Sequence, residues 1–189
     1  MESPDDSNPP DDPLKKEPGW KDITNRCEPI AKKLLAQATD LFGSPTVDPI
    51  GIRITELKSG PRTDFFNGIT YIRVGIGVAG DERELEAQIA HEIVHAVSKP
   101  PQNATTVLEE GIASYFAVKF GRAYEPHAGD QQRYQDAYMA VTELLEKCHT
   151  VIKELRKPPR SIDKITAEEI LKLCPKCPGE LAKKLVNKF

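Results

Sequence analysis

The chain has 189 residues, 39% of them apolar and 29% charged, with a formal net charge of −3. That length fits one domain with a tail and is enough to bury a real core. No strongly basic stretch exceeds a few residues and no apolar run approaches the ~20 that span a bilayer, so neither a nucleic-acid nor a membrane partner is expected.

Residues 1–19 hold five prolines and six acidic residues without periodicity, and they read as a disordered tail. This opening lacks the apolar stretch of a signal peptide, so with Met1 as the true start a cytoplasmic protein is expected. Order begins near Trp20. Over 24–42 the spacing predicts a helix: Pro29 falls in its first turns, Ile30, Leu34, Leu35, Ala38, Leu41 and Phe42 follow at helical intervals, and Gly43-Ser44-Pro45 stops it. In "PIGIRITEL" Ile50, Ile52 and Ile54 alternate with Gly51, Arg53 and Thr55, the pattern of a half-buried strand. Asn67-Gly68 marks a turn, and "ITYIRVGI" alternates again, with Ile72, Val74 and Ile76 on one face and Tyr71 and Arg73 on the other. A small mixed or antiparallel sheet of about three strands is expected.

Helices fill most of the remainder. One runs from Asp81, with Glu84 three residues later, to the stop at Pro100-Pro101. A second covers about 106–120, opened by Thr106 and Glu109 and closed by Gly121. A long third spans roughly 130–157 before Pro158-Pro159, and two short ones lie near 166–174 and 179–188. The expected fold is α+β, a single domain over 20–189. Its upper part, 20–98, ends in the first of these helices, and its lower part, 99–189, is mostly helical.

Four cysteines agree weakly with a reducing compartment, where all would be thiols. Cys174 and Cys177 form one C-x-x-C, but a zinc ribbon needs a second, and the sequence has none. Cys148-His149 is the only conceivable complement to that pair.

The chemistry-bearing stretch is "IAHEIVHAV", residues 89–97. His91 and His95 sit one turn apart on a single helix face, where two imidazoles can reach one metal ion without distortion. Glu92 lies beside them, close enough to act on a water without being a ligand itself, which is the logic of H-E-x-x-H. Leu85, Ala87, Ile89, Ala90, Ile93, Val94, Ala96 and Val97 cover more than half the helix. The arc of Glu84, Gln88, His91, Glu92 and His95 must therefore face solvent or a cleft.

A catalytic zinc takes three protein ligands and leaves a position open. His127, in a loop, and His149, late in the long helix, are poor third ligands. Glu110 is better: its helix is apolar nearly all round, and Val107, Ala113, Ser114 and Ala117 flank it, so its charge needs a partner or a metal. Glu109 also has apolar neighbours, but it stands three after Thr106 and can be used in a capping box.

His91, Glu92 and His95, followed by "LEEGIASYFA", resemble the gluzincin clan of zinc metallopeptidases, and "E-G-x-A" at 110–113 is similar to the signature of that clan's second helix. The likeness covers about residues 24–120, and the short chain resembles a minigluzincin. It implies a zincin-like fold, one Zn2+ on His91, His95 and Glu110, Glu92 as general base, and hydrolysis of a peptide or protein substrate. The sequence departs from the pattern in three places. Position 109 is Glu where asparagine is common. Ser114 stands where a carboxylate often orients a histidine, so that support must come from elsewhere. The G-x-M-E-N element that grips a free amine is absent, so an endopeptidase is expected rather than an aminopeptidase. Among Tyr115, Tyr124, His127, Tyr134 and Tyr138, Tyr134 and His127 lead as donors to the oxyanion. An extended substrate is expected to pair with an edge strand near "TYIRVG". Alternatives are a regulatory protease that cleaves a transcriptional repressor, a catalytically silent zincin-fold binding module, and an enzyme whose own termini close the cleft.

Overall fold

The computed structural model describes residues 21–46, 51–58, 61–66, 69–75, 77–98, 105–124 and 131–189. The expectations for residues 1–19, Trp20, Asn67-Gly68, Pro100-Pro101 and His127 lie outside the described residues.

Helix α1 (Thr24–Phe42) starts next to a two-residue strand, β1 (Lys21–Asp22), and buries Cys27, Ala31, Leu34, Ala38 and Phe42. Strands β2 (Gly51–Leu57), β3 (Arg62–Phe66) and β4 (Ile69–Gly75) complete a four-stranded sheet in the order β1-β2-β4-β3. The sheet is mixed: β4 runs parallel to β2 and antiparallel to β3, with Ile54 opposite Ile72 and Thr63 opposite Ile72 from the other side. Here the sequence expectation is corrected. β4, the "TYIRVG" strand, is interior, and the outer strand is β3, which carries no strand partner on its far side among the described residues. An interior strand is dry on both faces, so Thr70, Tyr71, Ile72, Arg73 and Val74 are all buried rather than alternating. Arg73 is accommodated there by an ion pair with Asp64 of β3.

Helix α2 (Glu82–Ser98) packs on β4 and α1. Asp81 opens it: Oδ1 accepts from the backbone N–H of Arg83 at 3.0 Å and of Glu84 at 3.1 Å. Helix α3 (Val107–Phe120) crosses α2, and α4 (Gln131–Lys147) packs on α3. Two glycines permit these approaches. A Cβ on Gly111 would lie 2.5 Å from the Ala137 carbonyl of α4, and one on Gly121 would lie 2.5 Å from the Ala90 Cβ of α2.

The single long helix expected over 130–157 is two: α4, and α5 (Val151–Leu155), with exposed His149 in the turn between them. Apolar residues continue at helical spacing through the break, because Val141, Leu144, Val151, Ile152 and Leu155 all enter one core, and no proline or glycine marks it. Helices α6 (Ala167–Leu173) and α7 (Gly179–Val186) follow, and one apolar core runs from Ile23 to Leu185. Cys148 is disulfide-bonded to Cys174, which corrects the expectation of four thiols and removes both sulfurs as metal ligands. Cys27 and Cys177 are free and buried. A disulfide weakens the cysteine argument for a reducing compartment. No helix of the described residues is long and apolar enough to cross a membrane.

Candidate metal centre

Every residue of α2 from Leu85 to Ser98 is buried, including Gln88, His91, Glu92 and His95 of the polar arc, while Glu84 is only partly covered. His91, Glu92 and His95 are covered by side chains of β3 and α3 rather than open to solvent. His91 Nε2 lies 3.4 Å from His95 Nε2 and 3.3 Å from Glu110 Oε2, and His95 Nε2 lies 3.7 Å from Glu110 Oε1. The three residues form the one His/Cys/Asp/Glu group among the described residues arranged to hold a metal ion, with all ligand atoms within 4.8 Å of one another. A tetrahedral ion with nitrogen and oxygen ligands at ordinary distances sets its ligand atoms roughly 3.3–3.6 Å apart. The His91–His95 separation of 3.4 Å matches that spacing, and the contacts to Glu110 are divided between its two oxygens.

The centre's partners are incomplete in a telling way. His91 Nδ1, Glu109 Oε2 and Ser114 Oγ are buried with no hydrogen-bond partner. Buried polar atoms normally have one, and leaving one dry costs about 1–3 kcal/mol. Glu92, Glu109 and Glu110 are all buried near two imidazoles, so the cluster calls for positive charge. Burial alone would pull the His95 imidazole down, but Glu110, Glu109 and Glu92 outweigh it and push His95 up to about 10. Burial raises Glu110, yet His95 and His91 bring it down to about 2. Glu92 is raised above the usual carboxylate range by burial, against the pull of His95, His91 and the Thr63 hydroxyl.

Two supporting contacts were not foreseen. The Thr106 side chain accepts from the Glu109 backbone N–H at 3.3 Å, which is half of a capping box. The Glu109 side chain does not complete it. Its Oε1 takes the Nδ1 side of His95 at 3.1 Å, and the residue is 0% exposed. The support absent at Ser114 thus reaches the other histidine, from the residue preceding Glu110. Apolar neighbours signalled the burial of Glu109, but its partner depends on how α3 crosses α2. The second contact is Thr63 on β3, whose Oγ1 lies 2.8 Å from Glu92 Oε2 and 2.9 Å from the Glu92 carbonyl. "RTDFF" carries no alternation that reveals a strand, so nothing in the sequence pointed to Thr63.

Of the oxyanion candidates, Tyr134 is beside the centre, its ring 6.0 Å from that of His91 in an edge contact. Tyr115 and Tyr138 stack on each other at 6.4 Å, and Tyr124 is 81% exposed.

The described residues therefore form a mostly helical α+β protein whose buried His91, His95 and Glu110 can hold a metal ion. No protein-family profile matches the chain, and searches of curated proteins and of solved structures returned no significant match.

Proposed function

We propose that this chain is a zinc-dependent metallopeptidase of the gluzincin type, in which α1 and the sheet back the active-site helix α2 in a zincin-like arrangement. The observation that carries the reading is the buried His91–His95–Glu110 group, in which one ligand atom from each residue lies within 4.8 Å of the others. Two imidazoles and a carboxylate are the donor set of hydrolytic zinc sites, and the buried Glu110 carboxylate faces both imidazoles.

Zinc in this position supplies a Lewis acid that acidifies water and polarises the scissile carbonyl. The remaining steps belong to the chain's own residues. Glu92 takes the proton of the attacking water and delivers it to the leaving nitrogen. Burial raises its affinity for that proton, and Thr63 Oγ1 fixes one carboxylate oxygen so that the other is free to accept. Glu109 holds the Nδ1 side of His95 and so directs Nε2 into the centre. Tyr134 is the described candidate to donate to the oxyanion. The outer edge of β3, next to Glu92 through Thr63, is the natural place for an extended substrate to pair.

The test is metal content by mass spectrometry on protein purified without an affinity tag, followed by a peptide-hydrolysis screen. One zinc per chain is expected in the parent and none in His95→Ala or Glu110→Ala. Glu92→Gln should keep the zinc and lose at least 100-fold in kcat. A parent that takes up no zinc from a zinc-containing buffer ends the reading.

A further inference from the structure

The last helix is anchored in the core through Leu181, Ala182 and Leu185. Beyond it the chain becomes extended, and Asn187–Phe189 runs along the residues that lead into α3. Val107 N–H donates to the Asn187 carbonyl at 2.9 Å, Phe189 N–H donates to the Thr105 carbonyl at 2.9 Å, and Thr106 pairs with Lys188 as an antiparallel bridge. Only Leu108 separates these three residues of α3's entry from Glu109 and Glu110. The Phe189 ring packs on Tyr134 at 4.9 Å with the Arg133 guanidinium over it at 4.3 Å, and Tyr134 also makes an edge contact with His91 at 6.0 Å. A short extended peptide with an aromatic side chain is thus docked by backbone pairing beside the entry of α3. One ring separates it from a metal-ligating histidine.

Its attachment differs from that of the helix before it. Asn187 and Lys188 are exposed and Phe189 is only half-buried, so two backbone hydrogen bonds and the contacts of one ring with Tyr134 and Arg133 hold the strap, while the apolar anchor of α7 ends at Val186. The strap can lift without dismantling α7. A strand that pairs with exposed backbone while a ring occupies an aromatic platform is how peptides are captured by addition to an edge.

We propose that Asn187–Phe189 is an intramolecular plug: it occupies a peptide-docking face formed by Thr105–Val107 and Tyr134, and a substrate displaces it by presenting a large aromatic side chain to Tyr134. The consequence for catalysis rests on the peptidase reading, but the docking face can be tested with no metal and no turnover.

The experiment is fluorescence anisotropy of a dye-labelled hexapeptide with the sequence of residues 184–189, KLVNKF, titrated with the full chain. Phe189→Ala should bind it at least tenfold tighter than the parent, because the internal competitor has lost its ring, and the peptide ending in Ala instead of Phe should bind neither. Equal binding to parent and variant, or binding to neither, overturns the proposal and leaves the zinc site untouched. Phe189→Leu, which changes the strap and leaves the docking face intact, serves where Phe189→Ala fails to fold, with a gain of about threefold. In zinc-loaded protein, hydrolysis of an aromatic-containing peptide should rise by a similar factor in the variant. Tighter hexapeptide binding without that rise would put the strap outside the substrate's path and overturn its role as a plug.

Discussion

Two buried charge centres share the C-terminal half of α2, and they are built in opposite ways. Arg156 is 1% exposed, yet its guanidinium is saturated. Nε donates to the Arg160 carbonyl at 2.8 Å, Nη1 to the Phe42 and Gly43 carbonyls at 2.7 and 3.2 Å, and Nη2 to the Ser44 and Val97 carbonyls at 3.1 and 2.9 Å. Its partners are the carbonyl-rich ends of α1 and α2, where a cation belongs. The His91–His95–Glu110 centre has the same burial and the reverse accounting: ligand atoms converge, and several polar atoms face no protein partner. A saturated buried charge is a structural joint. An unsaturated one with convergent lone pairs is a place for something the chain does not itself supply.

The most direct way to break this contrast lies at the joint. Arg156→Met leaves the Phe42 carbonyl without its guanidinium donor, while the Val97 carbonyl keeps the Thr46 N–H at 3.0 Å, so at about 1–3 kcal/mol for a group left dry the loss should be about 2–3 kcal/mol. Urea denaturation of the metal-free protein measures it. Arg156→Lys should recover less than half, since an ammonium with three donors cannot span both helix ends. A loss under 1 kcal/mol would mean that the clamp is incidental.

The next effect comes from pH in the metal-free protein. His95 is raised to about 10, so its contribution is complete below the unfolded value of about 6.5 and falls as pH climbs toward 10. Glu110 is lowered to about 2, so its contribution is complete above about 4.5 and falls as pH drops through 2. The two shifts describe one shared attraction, counted once, on the order of 3 kcal/mol. Stability should therefore plateau between pH 4.5 and 6.5 and decline on both sides. Zinc-loaded protein should lose the alkaline decline, because a ligating His95 has already given up its proton. An alkaline decline that survives saturation with zinc would place His95 outside the metal shell.

How much of this was legible beforehand follows from which interactions are local. Helices α1, α2 and α3 start and stop within a residue or two of the expected places, because caps, glycines and the 3.6-residue period lie in the adjacent sequence. His91, His95 and Glu110 were candidates for the same reason, namely charge on helices otherwise committed to the core. What escaped depends on chain segments far apart. The parallel pairing of β2 with β4 puts β3 outside. The break between α4 and α5 has no proline or glycine to announce it, and the Cys148–Cys174 bond joins residues 26 apart. Glu109 is the clearest case: its sequence context offers a capping box, and the crossing of α3 over α2 offers His95, which won.

Glu109 gives the third test. Its Oε1 has a partner and its Oε2 has none, so it stands between the two kinds of centre. Glu109→Ala should lower zinc affinity by about 10–100-fold, read by competition with a fluorescent chelator, because His95 is no longer held from behind. Glu109→Gln keeps an oxygen for the Nδ1 proton without the charge and should recover most of that loss. Equal affinity in all three proteins would make the Glu109–His95 contact a matter of packing only.

The smallest effect isolates the base from the metal. Thr63→Val keeps the size of the β3 side chain and removes the one hydroxyl within reach of Glu92 Oε2. A single hydrogen bond to a charged group contributes about 1–2 kcal/mol, so kcat for peptide hydrolysis should fall about 5- to 30-fold. Zinc affinity should not change, since Thr63 touches none of the three ligands, and Thr63→Ser should restore the rate. The split between rate and metal is what matters: if Thr63→Val weakened zinc binding as much as turnover, Glu92 would belong to the metal's own shell, and the division of labour between His91, His95 and Glu110 on one side and Glu92 on the other would fail.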